Sequence, residues 1–236
     1  MVEGKLWHFA GQKCSGRQVV RFIRGVRYSM AILDDGSAGL AFSFPDRVDR
    51  KEKLYSILCD LPVPASVFLE LSDTRCTGDR CAAVAVANAL LGTEGEESSG
   101  IPSLGDAQKI LMVGYIEPLF RSLQKRGIIP YVMDDHYGKS IPLDLGRRLC
   151  STADILILSA SSVVNGSWDE LITLARKTWI VGPTSPLFSG LYEETSVEYV
   201  MGRSITDVQA LATILERGGG TRDMAACTGK ICLSIK

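Results

Sequence analysis

Residues 154–182 read DILILSASSVVNGSWDELITLARKTWIVG. Asp154 to Ser159 and Thr178 to Val181 are apolar without alternation, as strands buried on both faces are, and the amphipathic stretch Trp168 to Lys177 between them suits a helix. Strand, helix and strand at this spacing form a βαβ unit with parallel strands. The same rhythm extends both ways along the chain. Lys109 to Val113, Ile129 to Met133 and Glu198 to Met201 are further continuous apolar runs, separated by the amphipathic stretches Pro118 to Arg126, Leu143 to Cys150 and Thr206 to Arg217. The fold class expected for residues 101–236 is therefore α/β, a doubly wound parallel sheet. Such sheets bind ligands at the carboxyl ends of their strands, where the strand order reverses.

The residues directly after each run are thus the informative ones. The first run is followed by Gly114-Tyr115-Ile116-Glu117-Pro118, in which Gly114 permits a tight turn and Pro118 suits the first turn of a helix. The G-x-G-x-x-G that grips a pyrophosphate is absent, which argues against ordinary NAD or FAD binding. After the second run stands Met133-Asp134-Asp135-His136; Asp134 is placed to take a ribose hydroxyl, or else belongs to a solvated acidic loop. After the third, Ser159 to Ser167 is dense in hydroxyl and amide groups. Ser167 ahead of Asp169 and Glu170 fits a helix cap, and Asn165-Gly166 reads equally as a turn or as a ligand contact. The fourth run leads into Gly182-Pro183-Thr184-Ser185-Pro186-Leu187, where two prolines fix a backbone whose hydroxyls and amides suit an anion or carboxylate cradle. No Ser-His-Asp, Cys-His or H-E-x-x-H arrangement is present.

Residues 1–100 have a different character. Lys5, Lys13, Arg17, Arg21, Arg24 and Arg27 are offset only by Glu3, a pattern of a solvated face or of a patch for an anionic ligand. Val26 to Phe44 alternates around Asp34-Asp35-Gly36-Ser37, as a β-hairpin does. Leu54, Ile57, Leu58 and Leu61 follow helical spacing up to Pro62, and CAAVAVANALL (81–91) reads as a small-residue helix packed closely against a neighbour. The stretch GTEGEESSGIPSLG (92–105) is the expected linker, dividing a small α+β domain (1–100) from the second domain (101–236).

Composition narrows the function classes. The 236 residues are 46% hydrophobic and 22% charged, with 26 basic against 27 acidic side chains, so no field of one sign exists to hold nucleic acid or an anionic membrane. No apolar run approaches the roughly 18 residues of a membrane span. Seven cysteines, an odd number without C-x2-C spacing, suit reduced thiols in the cytoplasm more than a disulfide framework. Cys76-x4-Cys81 and Cys227-x4-Cys232 are the close pairs; with two histidines in the chain, nitrogen and sulfur ligands are scarce.

The runs MVGYIEPL, TADILILSASSVVNGSWDELI, WIVGPTSPLF and YVMGRSITD together resemble the Rossmann-like domain of the putative heavy-metal chelation family. AILDDGSAGLAFSF and AAVAVANALLG resemble that family's other domain, which is similar to the enolase amino-terminal fold. The resemblance covers most of residues 19–220. It departs at the short leading segment and at Ser159-Ala160-Ser161, where a Thr-Gly-Thr type run is more usual. It implies a pocket between the domains and a role in chelating a metal, or in making or modifying a small metal-binding molecule. By motif it carries over Gly114, Tyr115, Glu117 and Pro118; Ser162, Asn165 and Ser167; Gly182, Thr184, Ser185 and Pro186; and Asn88.

The expected function is a cleft for a small polar or anionic molecule. Glu117 or Asp134 would act as proton acceptor or metal ligand, Asn165 and Ser185 would orient the substrate, and Pro183 with its neighbours would shape the cradle. These donors are hard oxygens, better suited to Mg²⁺ or a hydrated ion than to a soft metal, so a divalent metal is the cofactor left open. The alternatives are a non-catalytic carrier of a metal complex and an enzyme binding a nucleotide or S-adenosylmethionine. The expected partners are the small molecule and a second copy of the chain in a homodimer, with no nucleic acid and no membrane.

Overall fold

The computed structural model describes residues 1–47 and 52–235. The first part runs α1 (Val2–Lys13), β1 (Gln18–Arg24), β2 (Tyr28–Leu33), β3 (Ala38–Phe42), α2 (Leu54–Leu58), β4 (Val63–Pro64), α3 (Ala65–Leu69) and α4 (Thr77–Leu91). Its strands form an antiparallel sheet in the order β3-β2-β1-β4. The expected hairpin is β2-β3, turned at Gly36 with φ +84° and held by the Ser37 N–H donating to Asp35 Oδ1 at 2.9 Å.

All six residues of β2 are buried, although the sequence alternates as if one face met water. The reason is that both faces are covered. Ala31 and Leu33 pack with α4, while Tyr28, Met30 and Ile32 pack against Leu211, Ala212 and Leu215, which come from far along the chain. The small residues of α4 serve close approach. An added Cβ on Gly39 of β3 would lie 2.3 Å from the Ala85 carbonyl oxygen, so helix and strand touch backbone to backbone.

The second part runs β5 (Glu96–Glu97), β6 (Ile110–Val113), α5 (Glu117–Lys125), β7 (Tyr131–Met133), α6 (Leu143–Cys150), β8 (Ile155–Ser159), α7 (Ser162–Asn165), α8 (Trp168–Leu174), β9 (Thr178–Val181), β10 (Val197–Ile205), α9 (Val208–Glu216) and β11 (Thr228–Ser234). The sheet order is β5-β11-β10-β9-β8-β6-β7. Strands β7, β6, β8, β9 and β10 are parallel neighbours, and β11 and β5 close that edge antiparallel. Strand β11 lies outside the buried apolar runs because it is only half covered, alternating between core and surface. Helix α9 is the element whose apolar face covers β1 and β2 of the first sheet.

Helix α1 was not legible as a helix in the basic opening stretch. The Asp169 carboxylate of α8 accepts the Val2 N–H at 2.7 Å and the Glu3 N–H at 3.2 Å, which places a negative charge at the helix amino terminus. Among the described residues no helix is long and apolar enough to cross a membrane.

Candidate functional site

From β6 the chain passes to β7 on one side and then back across to β8 on the other, so the strand order reverses between β6 and β8. The carboxyl ends of β6, β8 and β9 open there into a cleft of about 1430 Å³, walled on its far side by Arg27, Tyr28, Phe42 and Phe44 of the first sheet. This is the crevice that a doubly wound sheet offers a ligand.

Two glycines make the floor. Gly114 has φ +84°, and a Cβ there would lie 2.5 Å from the Cβ of Ser159; at Gly182 (φ +144°) it would lie 3.3 Å from the Cβ of Ala160. Both flank the end of β8, and neither position accommodates a side chain without strain. Just beyond them Ser159 and Ser161 share a hydroxyl hydrogen bond of 2.9 Å. Ser162 lines the cleft, is 4% exposed, and has no hydrogen-bond partner for its hydroxyl among the described residues. An orphaned buried hydroxyl at a cleft wall is costly unless a ligand or water meets it.

Asn165 lines the same cleft. Its Oδ1 accepts from the Ser167 N–H at 3.0 Å and the Ser167 hydroxyl at 2.7 Å. The Ser167 side chain therefore fixes Asn165 and does not cap α8, as the sequence suggested. Arg80 of α4 holds this turn from below. Its Nε donates to the Val164 carbonyl at 2.8 Å, its Nη1 to the Ser72 carbonyl at 2.7 Å, and its Nη2 to Glu3 Oε1 at 2.6 Å. Sequence reading missed Arg80, which stands just ahead of the apolar stretch 81–91 with nothing but its own charge to mark it.

The acidic candidates are committed to structure. Asp134 lines the cleft, yet its Oδ2 accepts the Tyr115 N–H and its Oδ1 the His136 N–H, each at 2.8 Å. Its carboxylate thereby ties the loops after β6 and β7 together. Glu117 receives Arg121 at 2.6 Å and Arg222 at 3.4 Å, so both carboxylate oxygens carry a guanidinium. Pro118 lies in the first turn of α5, as expected. Tyr115 stacks on Tyr137 with ring centroids 4.4 Å apart, an aromatic pair whose second member carries no signal in the sequence.

The proline-rich loop after β9 is divided. Gly182, Pro183 and Thr184 line the cleft; Asn88, Ser185 and Pro186 do not. The hydroxyls expected to cradle an anion face the protein's own backbone, Ser185 with its proton spent and Thr184 as an acceptor. Thr184 Oγ1 accepts the Phe42 N–H of β3 at 3.0 Å, and Ser185 Oγ donates to the Met201 carbonyl at 3.0 Å. Asn88 Nδ2 donates to the Leu40 carbonyl at 2.8 Å and the Thr184 carbonyl at 3.0 Å, and the Pro186 carbonyl accepts the Tyr192 hydroxyl at 2.8 Å. The loop is a seam that fastens the parallel sheet to the edge strand β3.

Of the basic opening stretch, Arg17 pairs with Asp34 and Asp35, Arg21 with Glu216, and Arg24 with Glu52. Arg27 alone among these four points into the cleft, without a carboxylate partner among the described residues.

Metal binding by the chain's own side chains does not fit this arrangement. Among the described residues no three of His, Cys, Asp and Glu come together to hold an ion. The sulfur ligands that a soft metal prefers are dispersed and in part inaccessible. Burial pushes the Cys81 and Cys150 thiols up to about 11, away from the thiolate form that binds metal.

Comparison with known proteins agrees with the architecture. A family model described as putative heavy-metal chelation matches residues 101–233, and a second with the same description matches residues 8–91. The fold is similar to that of a protein with unknown function from Pyrococcus horikoshii, of the first of these families, with TM-score 0.84 and 20% identity over 100% of both chains. It is also similar to a protein with unknown function from Desulfitobacterium hafniense, with TM-score 0.78 and 18% identity over 98% of each chain. No curated protein matches the chain. With a match over more than half its length, the chain belongs to the putative heavy-metal chelation family.

Proposed function

We propose that the cleft binds a small polar organic molecule, and that any metal handled by this protein enters as the cargo of that molecule. The observation that carries this reading is the orphaned, buried hydroxyl of Ser162, a residue that lines the cleft with Asn165 at the strand-order reversal. The absence of a donor trio among the described residues supports a metal held by the ligand's own donors.

In this arrangement Ser162 and Asn165 orient the ligand by hydrogen bonds, and Gly114 and Gly182 let it approach the strand ends closely. Tyr115, stacked on Tyr137, offers an apolar wall. Asp134 and Glu117 position loops and arginines through the contacts they already make.

Native mass spectrometry of the protein purified from its own source, with elemental analysis of the same sample, tests this. A retained organic molecule with sub-stoichiometric metal is the expected result. Stoichiometric metal that survives dialysis without an organic partner would overturn it.

A further inference from the structure

The far end of the cleft holds an unusual arrangement of positive charge. Arg203 on β10 stands directly opposite Lys230 on β11 in the antiparallel register, and both side chains line the cleft. Directly opposed residues of an antiparallel pair share one face, and like charges in that position repel. Arg27 reaches the same wall from the first sheet, lying so close to Gly220 that a Cβ there would sit 3.0 Å from Arg27 Cδ.

Among the described residues none of these three cations has a carboxylate within ion-pair distance. Of the neighbouring acids, Glu117 is paired with Arg121 and Arg222, and Asp223 accepts the Gly220 N–H at 2.7 Å without forming an ion pair with any of the three cations. Among the described residues Arg203 is held in place by neutral groups. Its Nη1 donates to Thr228 Oγ1 at 2.8 Å and its Nη2 reaches the Thr221 carbonyl at 3.5 Å, while the Thr221 hydroxyl bonds the buried Tyr28 hydroxyl at 2.9 Å. A half-buried guanidinium oriented by neutral acceptors, facing another cation, is poised for an anion brought from outside. Burial without a neutralising carboxylate lowers the Arg203 pKa, in keeping with that geometry.

We infer that Arg203, Lys230 and Arg27 form an oxyanion subsite that takes a carboxylate or phosphate group of the ligand. The inference deepens the proposed function, since it assigns the ligand an anionic end bound beneath the first sheet, away from Ser162 and Asn165.

Titration calorimetry at low ionic strength, with inorganic pyrophosphate and with citrate as probes, tests the subsite. Saturable binding is expected, with the tighter probe showing whether phosphate or carboxylate is preferred, and Arg203→Gln should weaken it at least about tenfold. Lys230 is exposed and its replacement leaves packing intact, so Lys230→Gln supplies a second readout. In anion-free buffer that variant should be as thermally stable as the parent or more so, and the rise in Tm caused by pyrophosphate should fall by about half or more. Lys125→Gln, the same charge change outside the cleft, should leave both readouts unaltered.

Equal losses in the Lys125 and Arg203 variants, or no saturable binding of either probe, would overturn the subsite. An uncharged molecule recovered from the cleft would also overturn it, while leaving the proposed function standing. Stoichiometric metal without an organic partner would instead sink the proposed function itself.

Discussion

Arg80 Nε donates to the Val164 carbonyl across 2.8 Å, joining the small-residue helix of the first sheet to the turn that carries Ser162 and Asn165. The same guanidinium reaches Glu3 on α1, so one side chain ties three segments distant in sequence. Removing it strands a carboxylate and two carbonyls in a half-buried place. Arg80→Met should cost about 2–4 kcal/mol of unfolding free energy, and Arg80→Lys should recover little of it because a single ammonium cannot repeat the fork. Hydrogen exchange should quicken in residues 162–167. Unchanged exchange there, with stability lost only elsewhere, would disprove the coupling.

At Gly114 both conformation and space are restricted. Alanine there adds a left-handed backbone cost of roughly 1–2 kcal/mol to a 2.5 Å clash with the Ser159 Cβ. Gly114→Ala is expected to lower Tm sharply, and the double variant Gly114→Ala/Ser159→Gly to recover the steric part alone. Full recovery would show that the positive φ carries no cost, and no recovery would show that Ser159 is not the obstacle.

The parallel sheet was legible because its strands are buried on both faces, and continuous runs such as Ile155 to Ser159 carry that signal without ambiguity. Elements half covered by water carry less. Strand β11 alternates weakly, and α1 is amphipathic only faintly, its docking set by Asp169 far away in sequence. For the site, the glycines and the serine-rich turn could be read from their positions after strands. What could not be read is how polar groups are spent. Ser185 looks like part of a cradle until its hydroxyl is seen to donate to Met201, and Arg203 looks unremarkable until Lys230 is found opposite.

That distinction between spent and unspent polar groups gives a direct comparison. Asn88→Ala removes donors to two carbonyls and Ser185→Ala removes one, so each should lower stability by about 1–3 kcal/mol and change the affinity for pyrophosphate or citrate less than about twofold. For the molecule recovered from the purified protein, Asn165→Ala should weaken binding by about tenfold, with a smaller loss of Tm than Asn88→Ala because its two bonds from Ser167 lie in an exposed turn. The reverse pattern, affinity lost at Ser185 and kept at Asn165, would move the ligand to the other side of the proline-rich loop.

Thiol chemistry separates direct metal chelation from binding of a metal-bearing ligand. Cys59 is exposed, whereas Cys81 and Cys150 are buried with thiols pushed up to about 11. A disulfide reagent at pH 8 should label Cys59 first, with Cys81 and Cys150 labelled only on unfolding. Cadmium titration of the native protein should show no saturable thiolate charge-transfer band, because no three thiols or carboxylates meet among the described residues. A band completed at one equivalent of cadmium would contradict the dispersed placement of the sulfurs.

Acid stability should report on the clamp that starts the parallel sheet. Asp154 Oδ2 accepts the N–H groups of Lys109 at 2.8 Å and Gln108 at 3.0 Å, bonds that favour the charged carboxylate and hold its pKa below the ordinary value. A native pKa below the unfolded one means that the unfolded chain binds the proton first. The stabilisation is therefore complete above the unfolded value of about 4 and disappears as pH falls through the native one. Asp154→Asn keeps an acceptor oxygen while removing the charge, so urea midpoints of parent and variant isolate the ionic part. The parent should be the more stable by a constant margin from neutral pH down to about 5, and the margin should narrow below about 4. A margin that stayed level into acid, or widened there, would show that the two backbone bonds owe nothing to the ionised carboxylate.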